Sequence, residues 1–235
     1  MIAIFKRELK AYFISPIGYI FVAVFLAVAG ALFSFLTIQS SPNSDIAFYF
    51  LTIIFSFIVL IPLLTMRSLS EDRKTKTEQM LLSAPVSLMG IIFGKFLAAF
   101  VLFAGTLLLS CANFYVLYKF GEPNTAVLIG NVIAILLVGS AFIAIGIFIS
   151  AMTENQLTAA ILSIGSIMFL LLTGVFSNYV PVMAIRYVLD FVSIFSRFSY
   201  FTYGLFDINS IIYYASIVLI FLFLTVRIYE SRRWK

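Results

Sequence analysis

The chain has 235 residues, 63% of them hydrophobic and 11% charged, with 27 Phe and a net charge of +5. That apolar excess excludes an ordinary water-soluble domain and places the chain in a membrane. With no His and a single Cys, Cys111, it excludes an internal disulfide. The same two facts argue against His/Cys metal sites and against Ser-His or Cys-His catalysis.

The N-terminal stretch, "MIAIFKRELKAYFISP", is amphipathic. Ile2, Phe5, Leu9, Tyr12 and Phe13 fall on one helical face, and Lys6, Arg7 and Lys10 on another. A basic face suits anionic headgroups, so residues 1–16 form an expected interfacial helix lying on the inner membrane surface. Ser15-Pro16 ends it and turns the chain into the bilayer. "AVA" at 27–29 resembles a signal-peptide cleavage site, but the apolar run continues to Ile38, and an uncleaved first span is expected.

Charge-free runs cover 11–44, 46–66, 96–118, 123–153, 155–185 and 208–226. Each can supply the roughly 20 residues a helix needs to cross a hydrocarbon core about 30 Å thick. Helices satisfy their own backbone hydrogen bonds there, and the alternation of a barrel is absent. The expected fold is all-α: a single membrane domain of six transmembrane helices near 17–38, 47–65, 91–117, 126–150, 157–176 and 209–228. Lys and Arg set its orientation. One side holds Lys6, Arg7, Lys10, Arg67, Arg73, Lys74, Lys76, Lys95, Arg227, Arg232, Arg233 and Lys235, 12 in all, against 3 on the other, Lys119, Arg186 and Arg197. The positive-inside rule makes the first side, with both termini, cytoplasmic.

Residues 66–90 then form a cytoplasmic loop, "MRSLSEDRKTKTEQMLLSAPVSLMG". Thr75 and Glu78 match a T-x-x-E capping box, Gln79 to Leu82 continue a helix, and Ala84-Pro85 stops it. So short a helix needs a partner surface, and the cluster Met80, Leu81 and Leu82 offers an apolar face for a cytoplasmic protein. A second cytoplasmic turn, "TENQ" at 153–156, carries Glu154 and Asn155. On the outer side, residues 177–208 hold an amphipathic helix. Ile185, Val188, Leu189, Val192 and Phe195 form one stripe; Arg186, Asp190, Ser193 and Arg197 form the other. It is too polar to cross alone and is expected either in the interface or re-entrant.

The loop "LTMRSLSEDRKTKTEQMLLSAPVSLMGIIFGKFLA" resembles that of type-2 ABC transporter permeases, the export-type membrane subunits. Their pattern runs M-R, acidic residues, K-T-G-T-x-E-x-L-L-x-x-P, then G-K. It is matched at Met66, Arg67, Glu71, Thr75, Thr77, Leu81, Leu82, Pro85, Gly94 and Lys95. "FKRELKAYFISPIGYIF", "GIFISAMTENQLTAAILS" and the S-R-R-W ending are similar to the same family, nearest to its gliding-motility-type permeases. Lys76 stands where the family has Gly, and Gln79 where Glu is usual. The resemblance implies a plasma-membrane half-transporter that pairs with a second permease, alike or different, with an accessory membrane protein as a further option. A separate cytoplasmic ABC ATPase would carry the ATP and Mg and grip the loop at Arg67, Glu71, Thr75, Thr77, Glu78, Met80, Leu81, Leu82 and Pro85. Glu154 and Asn155 would form a smaller contact.

The chain itself lacks a phosphate loop. "GIIFGK", Gly90 to Lys95, is one spacer short and is followed by Phe96 instead of Ser/Thr. Gly90 and Gly94 read instead as a G-x-x-x-G packing pair. A secondary transporter would carry ionisable groups in mid-span, and the expected span interiors hold none. An intramembrane protease would need motifs that are missing. A membrane scaffold that recruits the ATPase without transport is the main alternative, and no nucleic-acid partner is expected. Asn113 and Asn131 are expected to hydrogen-bond between helices. Phe55, Phe57, Leu162 and Phe169 are the expected lining of an apolar substrate path along helices 2 and 5.

Overall fold

Ser15 adopts an extended conformation (φ −83°, ψ 154°) and Pro16 takes the first helical position, where its missing N–H costs nothing. This junction separates α1 (Ile2–Ile14) from α2 (Pro16–Phe33), which runs on through a π-helical turn at Ser34–Ile38. The computed structural model describes residues 2–38, 46–77, 87–120, 124–202 and 207–233. Along these follow α3 (Ile46–Thr65), the short α4 (Ser70–Lys74), α5 (Leu88–Ser110), α6 (Phe114–Phe120), α7 (Thr125–Met152), α8 (Gln156–Phe176), α9 (Met183–Val192), α10 (Ile194–Thr202) and α11 (Ile208–Arg233). Every regular element among the described residues is helical, and the chain is an all-α integral membrane protein. Its six candidate spans are Pro16–Thr37, Phe48–Lys74, Leu88–Lys119, Thr125–Met152, Gln156–Phe176 and Ile208–Arg232, one for each expected helix.

Helix α7 is the axis of the bundle. It packs against α3, α5, α8, α10 and α11, and 72% of its most apolar window is buried. Lipid tails are as apolar as Leu, so close packing holds such helices together. Two glycines make that contact possible. A Cβ on Gly139 would lie 2.2 Å from the Phe103 ring, and one on Gly146 would lie 2.2 Å from Thr65 Oγ1. Beside them Phe25, Phe57 and Phe103 form a buried triad, with centroids 6.1 Å apart for Phe25–Phe57 and 5.3 Å for Phe57–Phe103. Such offset and edge-on geometry is the favourable one for aromatic rings.

Helix α1 rests against α5. Tyr12 is buried and Phe5 and Leu9 pack on the core, whereas Ile2 and Phe13 are exposed. Three of the five residues of its expected lipid-facing stripe therefore contact protein. The outer segment also departs from expectation. A single helix through Phe195 was the reading of the pattern, but Ser193 is extended (ψ 119°) and divides it into α9 and α10. The Ser193 hydroxyl accepts from Ser196 N at 3.1 Å, capping α10. A Cβ on Gly174 would meet Ser193 Oγ at 2.3 Å, so the break is seated against the end of α8. Tyr213 and Tyr214 donate to the carbonyls of Val192 and Ile194 on either side of it. Ile194, Phe198 and Phe201 of α10 are fully buried, while Tyr187, Val188 and Phe191 of α9 are exposed.

Asn131 corrects a further expectation. It is buried, but its Nδ2 donates to Val127 O within its own helix at 2.8 Å. The bond satisfies one turn of backbone and joins no neighbouring helix.

Candidate functional site

Ser87 opens α5 by accepting from Gly90 N, and two turns later the helix carries Lys95. Its side chain is 2% exposed. An ammonium in such a place must be paired, because desolvating a lone charge is prohibitive. The pairing is complete. Nζ lies 2.7 Å from Ser68 O, 3.0 Å from Glu8 Oε1 and 2.8 Å from Asp72 Oδ2. One hydrogen bond, to Ser68 O, and two ion pairs, to Glu8 and Asp72, surround the ammonium, and these partners come from the turn after α3, from α1 and from α4. One side chain thus ties together α1, the second span, the charged loop and the third span. Beside it the Tyr12 hydroxyl donates to Leu64 O at 3.2 Å. Burial pushes the Tyr12 hydroxyl well above the usual tyrosine range and keeps it a donor.

The loop itself is held from 80 residues away. The Ser150 hydroxyl, near the end of α7, accepts from Leu69 N at 3.1 Å and Ser70 N at 3.0 Å and donates to Met66 O at 3.1 Å. Helix N-termini leave such amides without partners, so Ser150 acts as a cap supplied by another span. Arg67 and Glu71 form a two-pronged ion pair along the same turn. Arg73 donates to Met152 O at 3.0 Å and pairs with Glu154 Oε1 at 2.8 Å. Arg232 donates to Ala151 O at 2.6 Å. Two cations therefore sit on the carbonyl end of α7, where the helix dipole favours positive charge. Asn155 caps α8 by accepting from Leu157 N at 3.0 Å.

Arg67, Glu71, Thr75, Thr77, Glu154 and Asn155, expected at the ATPase contact, occur in this one neighbourhood, and Arg73 joins the 66–90 loop to the 153–156 turn. Thr75 has another role than the opening of a helix. Its N–H and its hydroxyl both bond Glu71 O, closing α4, while Thr77 Oγ1 reaches Thr75 Oγ1 at 3.0 Å and Asp72 Oδ1 at 3.2 Å. The next residue, Lys76, has φ 58°. That left-handed position after a helix is the one glycine fills most easily. Glu78, Met80, Leu81, Leu82 and Pro85 lie outside the described residues.

Lys95, Glu8, Asp72, Ser150 and Arg232 were not singled out as site residues from the sequence. Lys95 stood at the border of a charge-free run and was read as an inner charge, a match to the permease pattern and the end of an incomplete phosphate loop. The readable signal was a Lys one to two turns inside a membrane helix, which demands an acidic partner. The expected path residues separate. Phe57 is fully buried in the triad with Phe25 and Phe103, so it faces the interior of this chain instead of a path between chains. Leu162 and Phe169 line one groove of about 640 Å³ with Phe148 and Phe221. Phe55 is exposed and meets Phe195 at 6.2 Å between ring centroids.

A family model described as ABC-2 family transporter protein matches residues 34–229. No curated protein matches the chain significantly.

Proposed function

The chain belongs to the ABC-2 transporter family as a permease subunit, and from that premise we propose that it couples ATP hydrolysis by a separate cytoplasmic ATPase to export across the plasma membrane. The observation that carries this reading is the node around Lys95 and Ser150. Both loops expected to touch an ATPase are bound there to one another and to the spans. A push on α4 is transmitted by Asp72 to Lys95, hence to α5 and α1, and by Ser150 and Arg73 to α7. A buried ion cluster resists sliding, because parting its members leaves charges unpaired in low dielectric. The excess of Lys and Arg supports a cytoplasmic location for this end and for both termini.

On this reading the ATP and Mg belong to the ATPase, and the apolar face at Met80, Leu81 and Leu82 enters its groove. Two permeases, alike or different, pair to enclose a path, with α3 and α8 contributing Phe55, Leu162 and Phe169. The resemblance of its opening and ending supports a place near the gliding-motility-type permeases.

The test is co-expression with a cytoplasmic ABC ATPase. Leu81→Asp with Leu82→Asp is expected to abolish co-purification while the permease still folds, and an intact complex refutes the assignment of the docking face. ATPase stimulation by a transported substrate separates an exporter from a scaffold that only recruits the enzyme.

A further inference from the structure

Arg197 lies on α10, at the end of the bundle opposite the Lys95 node. Its guanidinium carbon lies over two aromatic rings. Its Cζ is 4.6 Å from the Tyr213 ring centroid and 5.4 Å from that of Phe191. Cation–π contact of this kind positions the group without consuming its N–H donors. Nε is buried and has no hydrogen-bond partner among the described residues. The two acids nearest in the chain are otherwise engaged. Asp190 faces Arg186 at 3.9 Å. Asp207 accepts from Asn209 N, Ser210 N and the Ser210 hydroxyl at the start of α11. Those bonds, and then the field of Arg197, hold its carboxyl below the usual carboxylate range. Arg197 also lines a pocket of about 380 Å³ with Tyr187, Asp190, Phe191 and Ser196. A cation held over aromatic rings with an unsatisfied Nε–H, on an amphipathic wall, is suited to binding an oxyanion.

We propose that Arg197 and this pocket bind a phosphate-type oxyanion, either as a lipid headgroup or as a free ion. The aromatic walls hold the guanidinium plane, its edge makes two parallel hydrogen bonds to the anion, and Asp190 at the rim opposes them. The sign at Asp190 is therefore distinctive: neutralising it strengthens binding.

The test uses the full chain in uncharged maltoside micelles, which contain no phosphate. One arm adds phosphatidylglycerol and counts retained lipid by native mass spectrometry. The other adds inorganic phosphate and follows its binding by the rise in unfolding temperature. Arg197→Gln is expected to weaken binding at least tenfold, a charge-assisted hydrogen bond contributing about that much. Asp190→Asn is expected to strengthen it, and Arg186→Gln to leave it within twofold. Binding in the lipid arm alone identifies a headgroup, and binding of inorganic phosphate a soluble ligand. Absence of binding in both arms overturns the proposal, as does equal binding by a folded Arg197→Gln chain. Should Arg197→Gln not fold, Arg197→Lys decides. It keeps the charge and loses the fork, so binding equal to that of the native chain overturns the paired-bond geometry.

Discussion

Replacing Lys95 with Met keeps most of the side-chain volume and removes the charge. Glu8 and Asp72, 15% and 18% exposed, then face each other without the ammonium that separated them. Removing one partner of a buried ion pair typically costs about 3–5 kcal/mol, most of it the penalty on the charge left behind. The Met stem avoids the added cost of a cavity. At about 2–4 °C per kcal/mol for a domain of 150–250 residues, the midpoint should fall by roughly 6–20 °C. Thermal unfolding of the detergent-solubilised chain measures it. Adding Glu8→Gln and Asp72→Asn to Lys95→Met removes the stranded charges and should recover most of the loss. A single variant as stable as the native chain, or a triple variant no better than the single, refutes the argument that Lys95 is a buried counter-ion. Amide exchange in α1 gives a second reading. It should accelerate in Lys95→Met, because Glu8 anchors that helix to the node.

Ser150→Ala strands the amides of Leu69 and Ser70. A lost cap of this kind costs about 1–2 kcal/mol, and amide exchange should speed up over residues 69–74 while the middle of α7 stays protected. Lys76→Gly should raise stability by about 1 kcal/mol by relieving the left-handed backbone; a lower unfolding midpoint contradicts the strain at φ 58°. Gly146→Ala drives a methyl into Thr65 and should cost about 1–3 kcal/mol. Thr65→Gly in the same chain should restore most of it, and failure of that rescue means that the α3–α7 approach is not what Gly146 protects.

The number of spans, their boundaries and the likeness to ABC-2 permeases were legible because they rest on local quantities. Runs without charge mark helices that a bilayer can hold, and Ser15-Pro16 marks a helix end through backbone chemistry that needs no distant partner. The Lys-to-Gly departure at position 76 was visible too, but only the backbone angle gave it a meaning. The site was legible in part. Arg67, Glu71 and Glu154 stood out as charges in a greasy chain, whereas Ser150 is one of two serines in α7. It becomes a helix cap only because folding brings it to residues 69 and 70, and no periodicity encodes that meeting.

Composition and charge order by themselves thus determined a six-helix membrane protein with its charge gathered at one end, since the free energy of placing a residue in lipid is nearly a property of that residue. Tertiary structure alone decided which charges neutralise one another. Lys95 and Glu8 are 87 positions apart, and their attraction depends on a distance that exists only once α1 lies against α5. The same holds for Phe57, whose ring could have faced lipid, a path or the core until Gly139 let Phe103 close against α7.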